Sequence, residues 1–179
     1  MIELRNVMNL RNWWVDYFML KEDDRCMLFS SLSFIMSLRQ WLPPLTRGAS
    51  VTIPKSAFEF EAAIVQSKVN KLVCTPSALA ALDIDRIENL DAIQVAGEPP
   101  QKQTMDMWME KVSQLHIGLG PTELCAHALC GAFDGQTLCI GNPAANVRAY
   151  VVTRFGNQSP INCIGEVCAL LSVEFVLEH

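Results

Sequence analysis

The chain has 179 residues, half of them hydrophobic, so it can bury one sizeable core as a single domain or as one subdomain of a larger protein. Fourteen Lys and Arg residues stand against nineteen Asp and Glu residues without any basic run, which argues against a nucleic-acid partner. Serines, Arg39, Gln40 and two prolines interrupt the most apolar stretch, 27–45, so we expect no membrane span. The seven cysteines lie mostly in apolar runs and predict reduced thiols in a cytoplasmic protein.

Apolar periodicity alternates along the first two thirds of the chain between the helical and the strand type. Val7, Leu10 and Trp14 are spaced by three or four residues, as one face of a helix requires. Pro43 and Pro44 are expected to end the second helix, because proline cannot continue a helical hydrogen-bond ladder. The whole pattern predicts helices over 5–19, 37–45, 59–67, 78–82 and 101–112, and strands over 26–30, 49–53, 71–74, 92–96 and 114–117.

The recurrence of strand, turn and helix with short connections predicts an α/β fold, with a mostly parallel sheet and helices on both faces. The loops 30–37, 96–100 and 118–123 then open onto one edge of that sheet, where ligands gather. After about residue 130, short strands over 138–140, 146–152 and 166–171 predict a small antiparallel β region. We divide the chain into an α/β subdomain, 1–133, a β-strand region, 134–176, and a remnant of a cloning tag, 177–179.

The stretch Gly118-Leu119-Gly120-Pro121-Thr122-Glu123 follows a predicted strand and precedes a run, 124–129, that is expected to open a helix. Backbone N–H groups at such a turn favour phosphate oxygens, a threonine hydroxyl can hydrogen-bond them, and a carboxylate can ligate Mg²⁺. The motif therefore suggests a nucleotide site. The same string is also compatible with an ordinary glycine-proline turn whose acidic residue only caps a helix.

Several motifs, spread over almost the whole chain, occur in the order and at the spacing of one known family. They are Arg5-Asn6-Val7 with Trp13-Trp14, Phe29-Ser30-Ser31-Leu32-Ser33-Phe34, Gly48-Ala49, Thr75-Pro76-Ser77, Ala96-Gly97-Glu98, Gly120-Pro121-Thr122-Glu123, Ile140-Gly141-Asn142-Pro143 and Gly165-Glu166-Val167-Cys168. The chain resembles the central part of an adenylation domain of nonribosomal peptide synthetases. These domains belong to the superfamily of AMP-forming acyl-CoA synthetases and luciferases.

The resemblance implies that a carboxylic acid attacks the α-phosphorus of ATP, giving an acyl-adenylate and pyrophosphate. The acyl group then passes to a carrier-protein thiol, so the implied partners are the acid, the carrier domain and the remaining adenylation subdomains of a parent protein. Thr122 would contact the α-phosphate and Glu123 would hold Mg²⁺. The implied nucleotide-binding positions are Gly97, Glu98, Gly118, Leu119, Gly120 and Thr122. Phosphoryl transfer needs positioning and charge neutralisation above all, which agrees with these residue types.

The resemblance also assigns the pocket for the acid to Phe34, Ile35, Met36, Arg39, Val73, Gln94, Ala96, Gly118, Ala126 and His127. Members that activate amino acids carry an Asp where Ile35 stands, and that Asp pairs with the substrate ammonium. An ammonium facing isoleucine would lose its hydration without gaining a partner, at a cost of several kcal/mol. We therefore expect a substrate without an α-ammonium: a keto, hydroxy, aryl or fatty acid. Arg39 either pairs with an acidic side group of the substrate or is a solvated residue on a helix.

Two further departures bear on activity. The family usually has an aromatic residue where Leu119 stands, and its loss gives up about 1 to 3 kcal/mol of base stacking. The family's upstream phosphate loop, its later ribose-binding Asp and its mobile C-terminal subdomain with the catalytic lysine are not in this sequence. Because each missing charge contact typically costs a factor of about 10² to 10³, we expect the parent protein to be the enzyme and these 179 residues alone to be inactive.

Two alternatives remain open. In the first, the chain is a degenerate adenylation-like module with a docking or structural role, and the departures from the family at Ile35 and Leu119 support it. In the second, it is an unrelated nucleotide-binding α/β domain whose glycine turn imitates a dinucleotide-binding fingerprint. Pro121, Thr122 and Glu123 stand against that second alternative, because the fingerprint requires a third small residue there.

Overall fold

A seven-stranded sheet carries the fold in the computed structural model, which describes residues 2–171. Its strand order is β2-β1-β3-β4-β5-β6-β7, and β8 and β9 form a separate two-stranded antiparallel sheet. The strands are β1 (Arg25–Met27), β2 (Ser50–Thr52), β3 (Lys71–Cys74), β4 (Ala92–Ala96), β5 (Gln114–Leu119), β6 (Leu129–Ala132), β7 (Asn142–Pro143), β8 (Val147–Val152) and β9 (Glu166–Leu171). The first five strands are parallel, and β6 and β7 are antiparallel to their neighbours.

Helices cover both faces of the parallel part of the sheet, as the sequence predicts. They are α1 (Leu4–Tyr17), α2 (Ser37–Arg47), α3 (Phe60–Gln66), α4 (Pro76–Ala80) and α5 (Lys102–Met109). On one face, α1 and the start of α2 pack their apolar side chains against β1, β3 and β4. On the other face, α3, α4 and α5 bury a larger cluster against β3, β4 and β5. In residues 2–171 we find no helix long and apolar enough to cross a membrane.

Side-chain alternation in β3 and β4 explains the two layers. Leu72 and Ile93 point into the cluster under α3 to α5, whereas Val73 and Ala92 belong to the cluster under α1. Every residue of β3 and β4 is buried, as expected for parallel strands covered on both faces. Gln94, a polar residue in the middle of β4, is 0% exposed and needs a partner inside the protein.

Helix α2 corrects one prediction, because it does not end at Pro43 and Pro44 but continues to Arg47. Both prolines are buried, so their packing compensates for the helical hydrogen bonds that they cannot donate. The Thr46 hydroxyl donates to the carbonyls of Leu42 and Pro43 in the same stretch, at 2.9 and 3.0 Å. Tertiary packing therefore outweighs the local preference of proline here.

Two other local predictions are wrong. The stretch 124–129 does not open a helix: a short 3₁₀ turn, Thr122–Leu124, is followed by left-handed backbone at Cys125 and Ala126, and β6 begins at Leu129. Without a crossover helix the chain reverses, which makes β6 antiparallel to β5. Residues 138–140 form no strand, and pairing resumes at β7. The expected tag remnant, 177–179, and the last part of the expected β region, 172–176, lie outside the described residues.

Candidate active site

Three loops meet at the carboxyl ends of the parallel strands and enclose a cleft of about 510 Å³. They follow β1, β4 and β5, so the prediction that they open onto one edge of the sheet is confirmed. The lining residues are Phe34, Ile35, Gly97, Glu98, Pro99, Pro100, Ile117, Gly118, Leu119, Gly120, Pro121, Thr122, Leu138 and Ile140. Most of this lining is apolar, with few polar groups to orient a ligand, which is typical of small-molecule sites.

The buried side chain of Gln40, on α2, helps to hold the loop after β1 in place. Its Oε1 accepts from the backbone N–H groups of Phe29 and Ser30, at 3.2 and 3.0 Å. Its Nε2 donates to Ser30 Oγ at 3.0 Å and to the Val73 carbonyl at 2.8 Å. These four bonds tie the loop to the end of β3 and so fix the segment that brings Phe34 and Ile35 to the cleft.

The loop after β4 turns at Gly97, whose φ of +99° is a backbone conformation that side-chain-bearing residues rarely adopt. The next residue, Glu98, accepts a hydrogen bond from the Ser77 backbone N–H at 2.8 Å. Hydrogen bonding by Ser77 lowers the pKa of Glu98 below its ordinary value, so this carboxylate is charged at neutral pH. Thr75 caps α4 by accepting from the Ala78 N–H at 3.3 Å, which holds Ser77 in position.

The end of β5 and the loop after it need their glycines because other groups occupy the space of a side chain. A Cβ at Gly118 would clash with Gln94 Nε2, and one at Gly120 would clash with the backbone of Ala126. The 3₁₀ turn that follows exposes Thr122 beside the cleft. Glu123 is exposed on the same turn, next to the cleft lining rather than within it.

The structure divides the sequence-predicted site residues into two layers. Eight of them line the cleft: Phe34, Ile35, Gly97, Glu98, Gly118, Leu119, Gly120 and Thr122. The other pocket residues are buried on the α1 side of the sheet, and they are Met36, Arg39, Val73, Gln94, Ala96, Ala126 and His127. The cleft therefore ends at Gly118, with Gln94 directly behind it.

Arg39 is the most unusual member of the buried layer, because it is only 1% exposed and is not the solvated helix residue that one interpretation of the sequence allowed. Its Nη1 donates to Gln94 Oε1 at 2.9 Å, while its Nε has no hydrogen-bond partner. The guanidinium carbon lies 5.5 Å from the centre of the Trp14 ring. Burial lowers the pKa of Arg39 to about 10, so it stays protonated at neutral pH.

His127 lies in the same layer and is 4% exposed. Its ring stacks on Trp13 with the centroids 4.0 Å apart, and neither ring nitrogen has a hydrogen-bond partner. Burial, and in second place the charge of Arg39, lower the pKa of His127 well below its ordinary value. The imidazole is therefore neutral at neutral pH and adds no second positive charge to this layer.

Ile35 forms part of the cleft wall and is surrounded by apolar side chains. It packs against a small cluster formed by Leu10, Cys125 and Ala126. The only carboxylate among the cleft-lining residues is Glu98, which is engaged by Ser77. Among the described residues, no carboxylate other than Glu98 lines this cleft, and none belongs to the apolar cluster around Ile35.

Sequence reasoning missed several residues that build the site. The sequence marks Ser77 only as part of the Thr75-Pro76-Ser77 motif and gives Gln40 no role, and only their hydrogen-bond partners reveal how they position the loops. Leu138 and Ile140 were expected in a strand but form part of the cleft wall. The available signal was their position just before the Gly141 turn, which brings the chain back to β6.

The chain belongs to the family of AMP-binding enzymes, which matches residues 1–170. Gramicidin S synthase 1 of Brevibacillus brevis is 27% identical over 177 residues, covering 94% of this chain and 16% of that protein. Tyrocidine synthase 1 of Brevibacillus parabrevis is 28% identical over 178 residues, with the same two shares. The chain therefore spans about a sixth of the length of these relatives.

Solved structures confirm the fold. The nonribosomal peptide synthetase FmoA3, in its form bound to alpha-methyl-L-serine-AMP, superposes with a TM-score of 0.84 at 21% identity, over 93% of this chain and 21% of that one. A four-domain nonribosomal peptide synthetase, holo-AB3403 bound to AMP and glycine, gives 0.81 at 20% identity, over 92% and 13%. The predicted resemblance to adenylation domains is confirmed, and the alternative of an unrelated nucleotide-binding domain is wrong.

Proposed function

We propose that the chain is the acid- and nucleotide-binding part of an adenylation domain that joins a carboxylic acid lacking an α-ammonium to AMP. The acyl-adenylate would then react with the thiol of a carrier protein that works with the same parent protein. The observation that carries this proposal is the cleft itself, where three loops bring the nucleotide motif and Ile35 to one site. Because the chain covers about a sixth of its relatives, the complete activity belongs to a longer protein.

On the nucleotide side, the proposal uses the ends of β4 and β5. The exposed Leu119 and the backbone at Gly97 and Glu98 border an apolar space suited to a flat base. The Thr122 hydroxyl, beside the cleft, would hydrogen-bond the α-phosphate and hold it in line with the attacking carboxylate. The similarity to FmoA3 in its AMPPNP-bound form supports a nucleoside triphosphate as the ligand.

A single carboxylate, Glu123, stands next to this position and is exposed. Mg²⁺ is usually held by one or two carboxylates together with substrate phosphates, so this residue fits the metal that the proposal requires. When bound, the metal neutralises charge that develops on the phosphate oxygens. Thr122 and the loop backbone supply the positioning, and no side chain of the cleft needs to form a covalent intermediate.

On the acid side, Ile35 and its apolar cluster support a substrate without an α-ammonium. An ammonium brought to this wall would exchange water for carbon atoms and find no carboxylate partner. A keto, hydroxy, aryl or fatty acid carries no such charge and loses nothing there. The seven free cysteines are in keeping with a reducing compartment such as the cytoplasm.

Pyrophosphate exchange into ATP, measured on the complete adenylation domain that contains this chain, tests the proposal. We would offer matched acids that differ only at the α-carbon: 4-methyl-2-oxovalerate, 2-hydroxyisocaproate and leucine. Hexanoate, benzoate, glutarate and 2-oxoglutarate complete the panel as further acids without an ammonium. Exchange is expected with at least one acid of the panel that lacks the ammonium, and at least tenfold less with leucine. Exchange with α-amino acids alone would refute the substrate class.

The variant Ile35→Asp provides the matched control for the ammonium argument. Its carboxylate would pair with the ammonium of leucine. Beside the keto acid the same carboxylate would lose hydration without gaining a partner, so the preference should shift toward leucine by about tenfold or more. An unchanged preference would mean that Ile35 does not face the α-carbon. If no acid supports exchange in either protein, the degenerate, non-catalytic module with a docking or structural role becomes the better account.

A further inference from the structure

The buried guanidinium of Arg39 has no anionic partner anywhere in the described part of the chain. The ion pairs there involve other cations, namely Arg5, Lys71, Arg86 and Lys102. The groups that face Arg39 are neutral: the Trp14 ring, the Gln94 amide, the Cys130 thiol and the His127 imidazole. Burial raises the pKa of the Cys130 thiol, so the sulfur is not a thiolate at neutral pH.

An uncompensated buried charge is unfavourable for folding, and proteins usually neutralise it with an ion pair or remove the residue. Here two buried side chains of the same layer have nitrogens without hydrogen-bond partners: Arg39 Nε and both ring nitrogens of His127. A pure packing role does not require these groups, because methionine or leucine would fill the same space. The arrangement is the one expected of a site that is completed by an anionic ligand.

The position of Gln94 connects this site to the cleft. Its amide lies directly behind Gly118, which lines the cleft and has no side chain to separate the two. Gln94 Oε1 accepts from Arg39 at 2.9 Å, and Gln94 Nε2 donates to Cys130 Sγ at 3.2 Å. The neutral carboxamide of Gln94 therefore lies between Gly118, in the cleft wall, and the charged guanidinium.

We infer that Arg39 binds a second carboxylate of the acid substrate, so that the acid activated at this site is a dicarboxylic acid whose far end replaces the Gln94 amide on the guanidinium. This inference rests on the proposed function. Gln94 turns aside on binding and gives up its bonds to Arg39 and Cys130. The ligand carboxylate supplies a charged acceptor in place of a neutral one, which is the stronger interaction with a guanidinium.

The matched probes are glutarate and valerate, which have five carbons each and differ in one terminal carboxylate. Binding is measured on the 179-residue chain without ATP, by thermal shift and by tryptophan fluorescence, because Trp14 lies against the guanidinium. We expect glutarate to bind at least tenfold more tightly than valerate. Equal binding of the two acids would overturn the inference.

Two variants locate the effect. Arg39→Met keeps the length of the side chain without its charge and should remove the preference for glutarate. Gln94→Ala keeps the guanidinium and opens the way behind Gly118, so it should bind glutarate at least as tightly as the unaltered chain does. A preference for glutarate that survives Arg39→Met, or that disappears in Gln94→Ala, contradicts the assignment.

Pyrophosphate exchange on the complete adenylation domain separates the two levels of the argument. If 2-oxoglutarate and glutarate support exchange better than their monocarboxylic counterparts, both the inference and the proposed function hold. If only monocarboxylic acids support exchange, the proposed function stands and the role of Arg39 is wrong. If no acid supports exchange while glutarate still binds through Arg39, adenylation is refuted and the anion site remains.

Discussion

At the scale of single residues, the layer beneath the cleft departs most from what the rest of the fold requires. Arg39, Gln94 and His127 are all at most 4% exposed, yet two of them keep nitrogens without partners. Ordinary cores avoid this, because each unsatisfied buried group costs about 1 to 3 kcal/mol. Proteins commonly tolerate such a local loss of stability at functional sites, and this one lies next to a cleft.

His116 allows a prediction about pH, because burial, followed by the charge of Lys71, lowers its pKa from 6.5 to about 4. The unfolded chain then binds a proton at His116 more tightly than the folded protein does. The contribution of neutral His116 to the free energy of unfolding is therefore complete above about pH 6.5 and is lost as the pH falls toward 4. Urea unfolding at pH 7 and pH 5 should show that His116 accounts for a loss of about 1 to 2 kcal/mol.

The variant His116→Gln isolates that contribution. Glutamine has no proton to gain in this range and can still bond the Tyr17 hydroxyl, which lies 3.1 Å from His116 Nδ1. Its unfolding free energy should therefore change less between pH 7 and pH 5, by the same 1 to 2 kcal/mol. His127 contributes in the same direction and remains in both proteins. An identical pH dependence in the two proteins would mean that His116 is solvated and titrates normally.

At the scale of secondary structure, the sequence predicts the elements well where burial and periodicity agree. The five parallel strands and their helices follow from apolar runs such as Leu72-Val73-Cys74 and from clear turn residues between them. Prediction from the sequence fails where a contact between residues distant in the chain determines the local structure. The buried packing of Pro43 and Pro44 extends α2, and the left-handed backbone at Cys125 and Ala126 prevents a helix that their side chains alone would allow.

The same distinction applies to the candidate site. The glycines Gly97, Gly118 and Gly120 mark the loops in the sequence, because their local chemistry is visible in the residues themselves. The hydrogen bonds of Gln40 and the position of Gln94 behind Gly118 depend on which elements become neighbours in space. No local pattern encodes those contacts, so sequence reasoning found the loops but not the residues that hold them.

The end of α2 provides a prediction at this scale. Gly48 caps the helix with a φ of +91°, and its N–H donates to the carbonyls of Leu45 and Pro44. Gly48→Ala must hold a side chain in this left-handed conformation and also press on Glu22 Cγ, 3.3 Å from an ideal Cβ. We expect a loss of about 1 to 2 kcal/mol in the free energy of unfolding, measured by urea denaturation.

Gly156 serves as the matched control for that substitution. It has a similar φ of +79°, but a Cβ there would meet nothing within 4 Å. Gly156→Ala therefore reports the backbone strain alone, in a turn of the smaller sheet region. A larger loss at Gly156 than at Gly48 would show that the contact with Glu22 and the cap of α2 are unimportant.

At the scale of the whole molecule, the two sheets differ in how much protein surrounds them. Strands β3 and β4 are buried along their whole length and sit between two helical layers. Most residues of β8 and β9 are exposed or half-exposed, including Tyr150 and Leu170. A two-stranded ribbon has little independent stability, so it depends on the few contacts that it makes with the rest of the chain.

Hydrogen–deuterium exchange should therefore separate the molecule into two parts. Backbone amides in β3, β4 and β5 open only with global unfolding, because their strands pack on both faces, whereas β8 and β9 can open locally. We expect protection factors at least 100-fold higher in the central strands, measured residue by residue at neutral pH. Glutarate should raise protection in β4 and β5, beside Arg39, and leave β8 and β9 unchanged. Uniform protection across both sheets would contradict this division, since it would require the ribbon to unfold only together with the core.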